Sequence, residues 1–424
     1  MAKNISAVVG IQWGDEGKGR MIDYLAQDAD MVIRYQGGNN AGHTVVNQFG
    51  TFKLHLIPSG IFNPRSINLL GTGMVINLEA LADEIKELES KNIDTSNIRV
   101  SDRATLTLPY HILEDAYEEE RLGGSAYGST KRGIAPSYGD RYLKKALLIG
   151  DVMYPDFMQK RLREIINWKN LIFRNVYKKD EINFDETYEW ITKFSEKIKP
   201  LICNTHRLID SYIIEEKKIL FEAQLGALRD IFYGIYPFTT SSSVLSNFAN
   251  AGGSMFSAKI NNVIGVMKSF STCVGAGPFV TEMDGEISHK LREIAYEYGA
   301  ATGRPRRIGH FDAVASKYGC KIQGAHSIAI TKLDSLSQQD ELLICTAYDL
   351  NGISMDEFPI NAVLEKVKPV YYSMQGWNED ISHIRDFDQL PQQAKDYVLK
   401  IEELIGVPVK YVSVGPERDS LIVR

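Results

Sequence analysis

The residues Gly14-Asp15-Glu16-Gly17-Lys18-Gly19-Arg20 follow directly on an apolar run and precede Met21 to Ala26, which can continue as a helix. Glycines between a strand and a helix start leave amide groups free for a phosphate, and the helix dipole favours the anion. The spacing is not that of the standard P-loop, because Gln12 stands where the first glycine would be and Gly19 follows Lys18. A carboxylate inside such a loop needs a cation or a proton, which makes Asp15 a candidate metal ligand, general base, or both.

Further loops carry compatible chemistry. Gln36-Gly37-Gly38-Asn39-Asn40-Ala41-Gly42-His43-Thr44 combines small residues that admit a ligand to the backbone, amides that serve oxygens, and a histidine that exchanges a proton near neutral pH. Tyr127 to Pro136 and Thr239 to Ser243 supply hydroxyls, and the first adds Lys131 and Arg132, which suits an anionic ligand. In Gly299 to Arg307, the cations Arg304, Arg306 and Arg307 stand within four positions, and their guanidinium forks can hold carboxylate or phosphate in bidentate fashion. Thr331-Lys332-Leu333-Asp334 resembles the Asn-Lys-x-Asp of small GTPases, whose aspartate reads guanine at two points. Ser413 to Arg418 could form the other wall of a base pocket.

These loops need strands to hold them. Ile5 to Ile11, Met31 to Tyr35, Ile328 to Ile330 and Leu342 to Ala347 have strand length, whereas Leu78 to Ser90 and Leu390 to Leu404 carry helical spacing. The alternation predicts an α/β fold, a single large domain over residues 1–424 with a mainly parallel central sheet flanked by helices. From about Tyr154 to Lys218 glycine is absent and apolar residues recur every three or four positions, which predicts a helical insertion.

Composition sets the outer limits. With 44% hydrophobic residues in 424, core material is ample and a disordered chain is excluded. The 48 basic and 54 acidic residues leave a net charge of -6, so no overall cationic field exists for nucleic acid or an anionic membrane. Neither partner is expected. Cys203, Cys273, Cys320 and Cys345 are widely spaced, without a Cys-x-x-Cys pair, and the start of the chain lacks the order of a signal peptide. A reduced, cytoplasmic setting is the expectation.

Taken in order, these segments resemble adenylosuccinate synthetase from Gly10 to Ile422, together with Leu54 to Ile61, Val274 to Phe279 with Thr281-Glu282, Gly376-Trp377 and Ile401 to Leu404. The resemblance implies an enzyme that joins IMP and L-aspartate while GTP becomes GDP and phosphate, with Mg²⁺, as a homodimer. Asp15 would then be the base that takes the N1 proton of IMP and a Mg²⁺ ligand, His43 the acid beside the transferring phosphoryl group, and Gly42 a second metal ligand through its carbonyl. Gly14 to Arg20, Gly42 to Thr44 and Arg306 fall on GTP positions, with Lys332, Leu333, Asp334, Ser413, Val414 and Gly415 around guanine. For IMP the resemblance implies Asp15, Lys18, Asn40, Ala41, Gly42, His43, Thr130, Lys144, Gln224, Thr240, Val274 and Arg304. For aspartate it implies Ala300, Ala301, Thr302, Gly303, Arg304 and Arg306.

Several positions depart from the family pattern. Asn39, Ala135 and Ala301 stand where the family has His, Gly and Thr, and Lys144 replaces the arginine that crosses between subunits to the IMP phosphate. Phe221-Glu222-Ala223-Gln224-Leu225-Gly226 stands where the family reads Phe-Glu-Gly-Ala-Gln-Gly, so the glutamine that supports the purine O6 lies one position early and Leu225 takes its place. Either Gln224 reaches in through a local backbone change, or that support is lost. Two other functions fit a chain so altered: a GTP-binding regulatory paralogue with weak ligase activity, and a ligase for a different purine nucleotide.

Overall fold

The computed structural model describes residues 4–40, 42–299 and 303–424. The expected sheet is present, with ten strands. In chain order they are β1 (Ile5–Gly10), β2 (Met31–Arg34), β3 (Ile67–Leu70), β4 (Ile98–Ser101) and β5 (Ile202–Cys203). There follow β6 (Ile219–Gly226), β7 (Asn262–Lys268), β8 (Ser327–Thr331), β9 (Val409–Ser413) and β10 (Leu421–Val423). Across the sheet they run β10-β9-β8-β7-β1-β6-β2-β3-β4-β5, and the edge pair β9–β10 is antiparallel while the others are parallel. Helices cover both faces, so β2 and β8 are buried along their whole length, which is why Met31 to Ile33 and Ile328 to Ile330 within them read as unbroken apolar runs.

The helices in front of the insertion are α1 (Lys18–Leu25), α2 (Leu78–Ser90), α3 (Pro109–Leu122) and α4 (Ile134–Tyr142). The Asn77 side chain accepts from Ala80 N–H to start α2, which buries Leu78, Leu81, Ile85 and Leu88 along one stripe. The second expected helix spans Gln392–Ile405 and stops at Gly406, whose φ of 70° ends the helix in the left-handed region. Leu342 to Ala347 lies within a strand, Glu341–Leu350, that belongs to a smaller sheet beside the main one, antiparallel to Ile353–Met355 and Lys368–Gln375.

Residues 154–218 are largely helical, as expected, in α5 (Pro155–Ile172), α6 (Phe184–Ile198) and α7 (Thr205–Ile214), with β5 between them extending the sheet edge. The insertion docks through a buried charge cluster as well as apolar contacts. Lys169 of α5 lies 2.6 Å from Glu114 of α3 and 2.8 Å from Asp140 of α4, and His111 Nε2 is 2.9 Å from the same Asp140. His111 Nδ1 accepts from Leu108 N–H, so Nε2 carries the proton toward the carboxylate.

Ligands of open parallel sheets bind outside the carboxyl ends of the strands. The glycine loops after β1 and β2, the Thr331–Asp334 segment at the end of β8 and the Ser413–Arg418 loop at the end of β9 all leave from that edge. The helix Ala313–Gln323 lies so close to the end of β1 that a Cβ on Gly319 would come within 2.1 Å of the Ile11 carbonyl oxygen. Gly319→Ala therefore forces backbone apart just before the first loop. It is expected to lower unfolding free energy by about 1–3 kcal/mol, read as a lower urea midpoint; an unchanged midpoint would show that the helix can shift freely.

Candidate active site

Left-handed backbone at Gly14 (φ 107°), Asp15 (φ 57°) and Gly17 (φ 95°) winds the first loop tightly between β1 and α1. Glu16 closes it from inside. Its carboxylate is buried, accepts from the N–H groups of Gly14 (2.8 Å) and Gln12 (3.2 Å), and pairs with Lys18 at 2.5 Å. The first acid of the loop finds its cation elsewhere. Asp15, a quarter exposed, lies 2.8 Å from Arg306 Nη2.

That pair ends a chain of alternating charge. Arg306 Nη1 meets Glu297 at 2.5 Å, and the same Glu297 oxygen lies 2.7 Å from Lys268, which also donates to Thr272 Oγ1 at 2.7 Å. Burial works against the charge on Asp15, but Arg306, Lys268, Lys18 and His43 outweigh it and hold its carboxyl below the usual carboxylate range. Burial likewise brings the Lys268 amine down to about 8, although Glu297 opposes the shift. The sequence reading missed Lys268, Glu297 and Thr272; the available signal was a lysine closing an otherwise apolar strand.

On the other side of β1, Glu222 points from β6 to His43 Nδ1, 2.5 Å away, and also accepts from Ser59 N–H (2.8 Å) and Ser59 Oγ (3.0 Å). Burial lowers the imidazole's proton affinity and Glu222 only partly restores it. The carboxylate orients the ring as the third member of a catalytic triad does. Two residues on, the same face of β6 presents Gln224. Its Nε2 donates to the Gly38 carbonyl (2.8 Å) and its Oε1 accepts Gly38 N–H (3.2 Å), so the amide is committed to the second glycine loop. Leu225, with φ 63°, lines the cavity instead. Of the two outcomes left open for the shifted glutamine, the structure adopts the one in which Gln224 does not reach in: a one-residue shift on an extended strand turns the side chain to the other face.

The cavity measures about 580 Å³, within the range of small-ligand sites. Asp15, Asn40, Gly42, Thr130, Thr240 and Val274 line it, together with Gly14. Segments far apart in sequence thus meet at one cavity. Lys144 stands apart, exposed just beyond α4 and absent from the lining. Ala41, Ala300, Ala301 and Thr302 lie outside the described residues; Gly303 and Arg304 are exposed beside them.

Across β8 and β9 a second set assembles. Lys332 (φ 64°) donates to the Ala295 carbonyl at 2.7 Å and turns the chain into the short helix Leu333–Leu336 that carries Asp334. Arg20 leaves the phosphate-type loop to donate to Ser413 Oγ and, through Nε and Nη2, to the Glu417 carbonyl at 3.0 and 2.8 Å. Burial raises the Asp334 carboxyl and Lys332 and Arg20 partly offset it. Arg307, by contrast, is engaged by Glu282 and the Gly277 carbonyl.

A mainly parallel sheet thus carries a phosphate-type loop with a cavity of small-ligand size on one side and an aspartate-bearing turn on the other. The profile of the family described as adenylosuccinate synthetase matches residues 7–422. Adenylosuccinate synthetase 2 of Pseudoalteromonas translucida (strain TAC 125) is 48% identical over 98% of this chain and 99% of its own, and the adenylosuccinate synthetase of Dehalococcoides mccartyi (strain CBDB1) is 44% identical over 99% and 100%. The fully ligated adenylosuccinate synthetase from Plasmodium falciparum superposes with a TM-score of 0.93 at 33% identity, over 99% of this chain and 100% of that one. Cyanophage S-2L succinoaminodeoxyadenylate synthetase, bound to dGMP and dATP, shares the fold at 19% identity and a TM-score of 0.63, over 100% and 96%. The chain belongs to the adenylosuccinate synthetase family. It is accordingly a GTP-dependent ligase of IMP and aspartate in AMP biosynthesis, and nothing favours the regulatory alternative.

Removing the cation at the buried end of the charge chain leaves Glu297 with Arg306 as its one remaining cation in the chain. Lys268→Met is expected to destabilise the fold by about 3–5 kcal/mol, and adding Glu297→Gln to restore part of that loss. Denaturant titration of the single and double variants checks this; strictly additive losses would mean the two groups are not coupled.

Proposed function

We propose that ligation runs in two stages at the described cavity, with Asp15 as the general base. Asp15 takes the N1 proton of IMP, the O6 so charged attacks the γ-phosphorus of GTP with GDP as the leaving group, and the aspartate amine then displaces phosphate from C6 of the 6-phosphoryl-IMP. The observation that carries this is the Asp15 carboxylate at the cavity wall, held ionised by Arg306, Lys268 and Lys18. Before it can accept the proton it must exchange Arg306 for the substrate, and Glu297 is the second carboxylate that keeps the guanidinium in place meanwhile.

His43, oriented by Glu222, serves the transferring phosphoryl group, with fixed donors that need no reorganisation during transfer. Glu16 to Arg20, Gly42 to Thr44 and Arg306 take the GTP phosphates; Lys332, Asp334, Ser413 and Gly415 read guanine. In this reading Glu16 acts through Lys18 and Arg20 through the Ser413 loop. Asn40, Thr130, Thr240 and Val274 receive IMP, and Thr302 with Arg304 receives aspartate. Gln224 fixes the Gly37–Asn40 turn rather than donating to O6, which leaves O6 less well supported than a direct amide contact would.

The oxygen donors present suit Mg²⁺. Asp15 and Gly42 line the same cavity, and no cluster of three or more His, Cys, Asp or Glu exists among the described residues; Mg²⁺ characteristically takes one or two protein oxygens and completes its shell with phosphates and water. Asp15 and the Gly42 carbonyl would hold it, and when bound it neutralises charge on the phosphates.

The proposed homodimer is supported by apolar side chains near Lys144 in sequence: Tyr142, Leu143, Tyr154 and Phe157 are all more than half exposed, and exposed apolar side chains of this kind are what a second copy would cover. Lys144 would then reach the IMP phosphate of the partner subunit, with a point charge in place of a bidentate fork. Four free thiols fit a reduced, cytoplasmic setting, and no helix among the described residues is long and apolar enough to cross a membrane.

An assay with GTP, Mg²⁺, IMP and L-aspartate should give GDP and adenylosuccinate in equal amounts; GDP alone would refute coupled ligation. Asp15→Asn is expected to abolish ligation while GTP binding persists, and near-normal turnover would remove the base assignment. Asp334→Asn should erode the preference for GTP over ATP, measured as the ratio of kcat/KM values; an unchanged ratio would remove Asp334 from guanine recognition.

A further inference from the structure

Between α3 and α4 the chain from Ala126 to Arg132 has neither helix nor strand, and Gly128 (φ 79°), Lys131 (φ 54°) and Gly133 (φ 74°) all lie in the left-handed region. Such a segment has no ladder to fix its shape, yet it must carry Thr130 to the cavity wall. Two acids from one face of α3, one helical turn apart, hold it. Glu119 accepts the N–H groups of Tyr127 (3.1 Å), Gly128 (3.0 Å) and Ser129 (3.0 Å). Asp115 accepts Ser129 Oγ at 2.6 Å and Gly133 N–H at 2.9 Å, and Ser129 Oγ in turn accepts Lys131 N–H at 3.1 Å.

The clamp has a chemical consequence. Three successive amides would otherwise form an anion-binding nest. Because Glu119 occupies them, the loop meets an anion from Thr130 onward, through hydroxyl and cationic side chains. Asp115 is buried and anchors both the middle of the loop and the first residue before α4, so the reach of Thr130 is set from both ends. The α3 helix is in turn pinned to the insertion through Glu114 and Lys169.

We propose that Asp115 and Glu119 are positioning residues for IMP: they hold the loop so that Thr130 meets the 5′-phosphate, and they set affinity for that group without touching the reacting atoms. This rests on the reading of Thr130 as a phosphate contact. Glu119→Gln keeps the size of the side chain but replaces one acceptor oxygen by a donor, breaking at least one of its three contacts. In steady-state assays of the full-length variant, KM for IMP is expected to rise about tenfold, about 1.4 kcal/mol. The kcat and the KM for GTP should stay within about twofold, well below that tenfold step. Competitive inhibition by inosine, which has the base and ribose but no phosphate, should be unchanged. An unchanged or lower KM for IMP, or an equal loss of inosine binding, overturns the proposal. Thr130→Ala separates it from the reading beneath it. If that variant raises KM for IMP and Glu119→Gln does not, the clamp fails and the phosphate loop stands; if Thr130→Ala has no effect, the loop assignment fails. Should Glu119→Gln not fold, Asp115→Asn makes the same test from the other end of the loop.

Discussion

A carboxylate has to remain ionised at the wall of a cavity that other carboxylates also line. Asp15 meets that constraint because a line of buried charges of alternating sign, Arg306, Glu297 and Lys268, ends on it. Removing any one of these ions from water is costly, and the arrangement is tolerable only because each has an opposite neighbour at hydrogen-bonding distance. The result is a carboxylate held in its charged form. As the proposed base it also has a competitor, since the guanidinium that keeps it charged would have to yield to the purine.

The sheet makes this possible by bringing distant residues to one edge. Lys268 closes β7, Asp15 follows β1, Glu222 comes from β6 and Asp334 follows β8, four adjacent strands of the sheet that draw on both halves of the sequence. Side chains then tie the two halves together. Thr331 Oγ1 donates to the Glu16 carbonyl at 2.6 Å, so the strand leading to the Asp334 turn is fastened to the phosphate-type loop, and Arg20 fastens the same loop to Ser413 and Glu417.

Much of this was legible in the sequence, for physical reasons that also explain the gaps. Strands β1 and β2 and helix α2 have unmixed periodicity and clear punctuation, and they form where expected. Asp15, Asn40, Thr130 and Thr240 sit in glycine or hydroxyl clusters whose composition marks a ligand loop, and they meet in one cavity. Lys268, Glu297 and Glu222 carry no such mark. Lys268 ends β7, Glu222 sits inside β6 and Glu297 lies in the loop after the helix Gly285–Ile294, and what brings each to the site is a partner that only the fold supplies. The glutamine was recognised as displaced, but its destination depended on which face of β6 it took; the Gly38 backbone completes both ends of its amide, leaving Leu225 at the cavity.

The proposed chemistry turns on where the Asp15 side chain goes when substrate binds. A crystal structure of the enzyme with IMP, Mg²⁺ and a non-hydrolysable GTP analogue tests it most directly. The prediction is that an Asp15 oxygen moves off Arg306 to lie within about 3.2 Å of purine N1. An Asp15 still paired with Arg306 and turned from the purine, while another group faces N1, would contradict it.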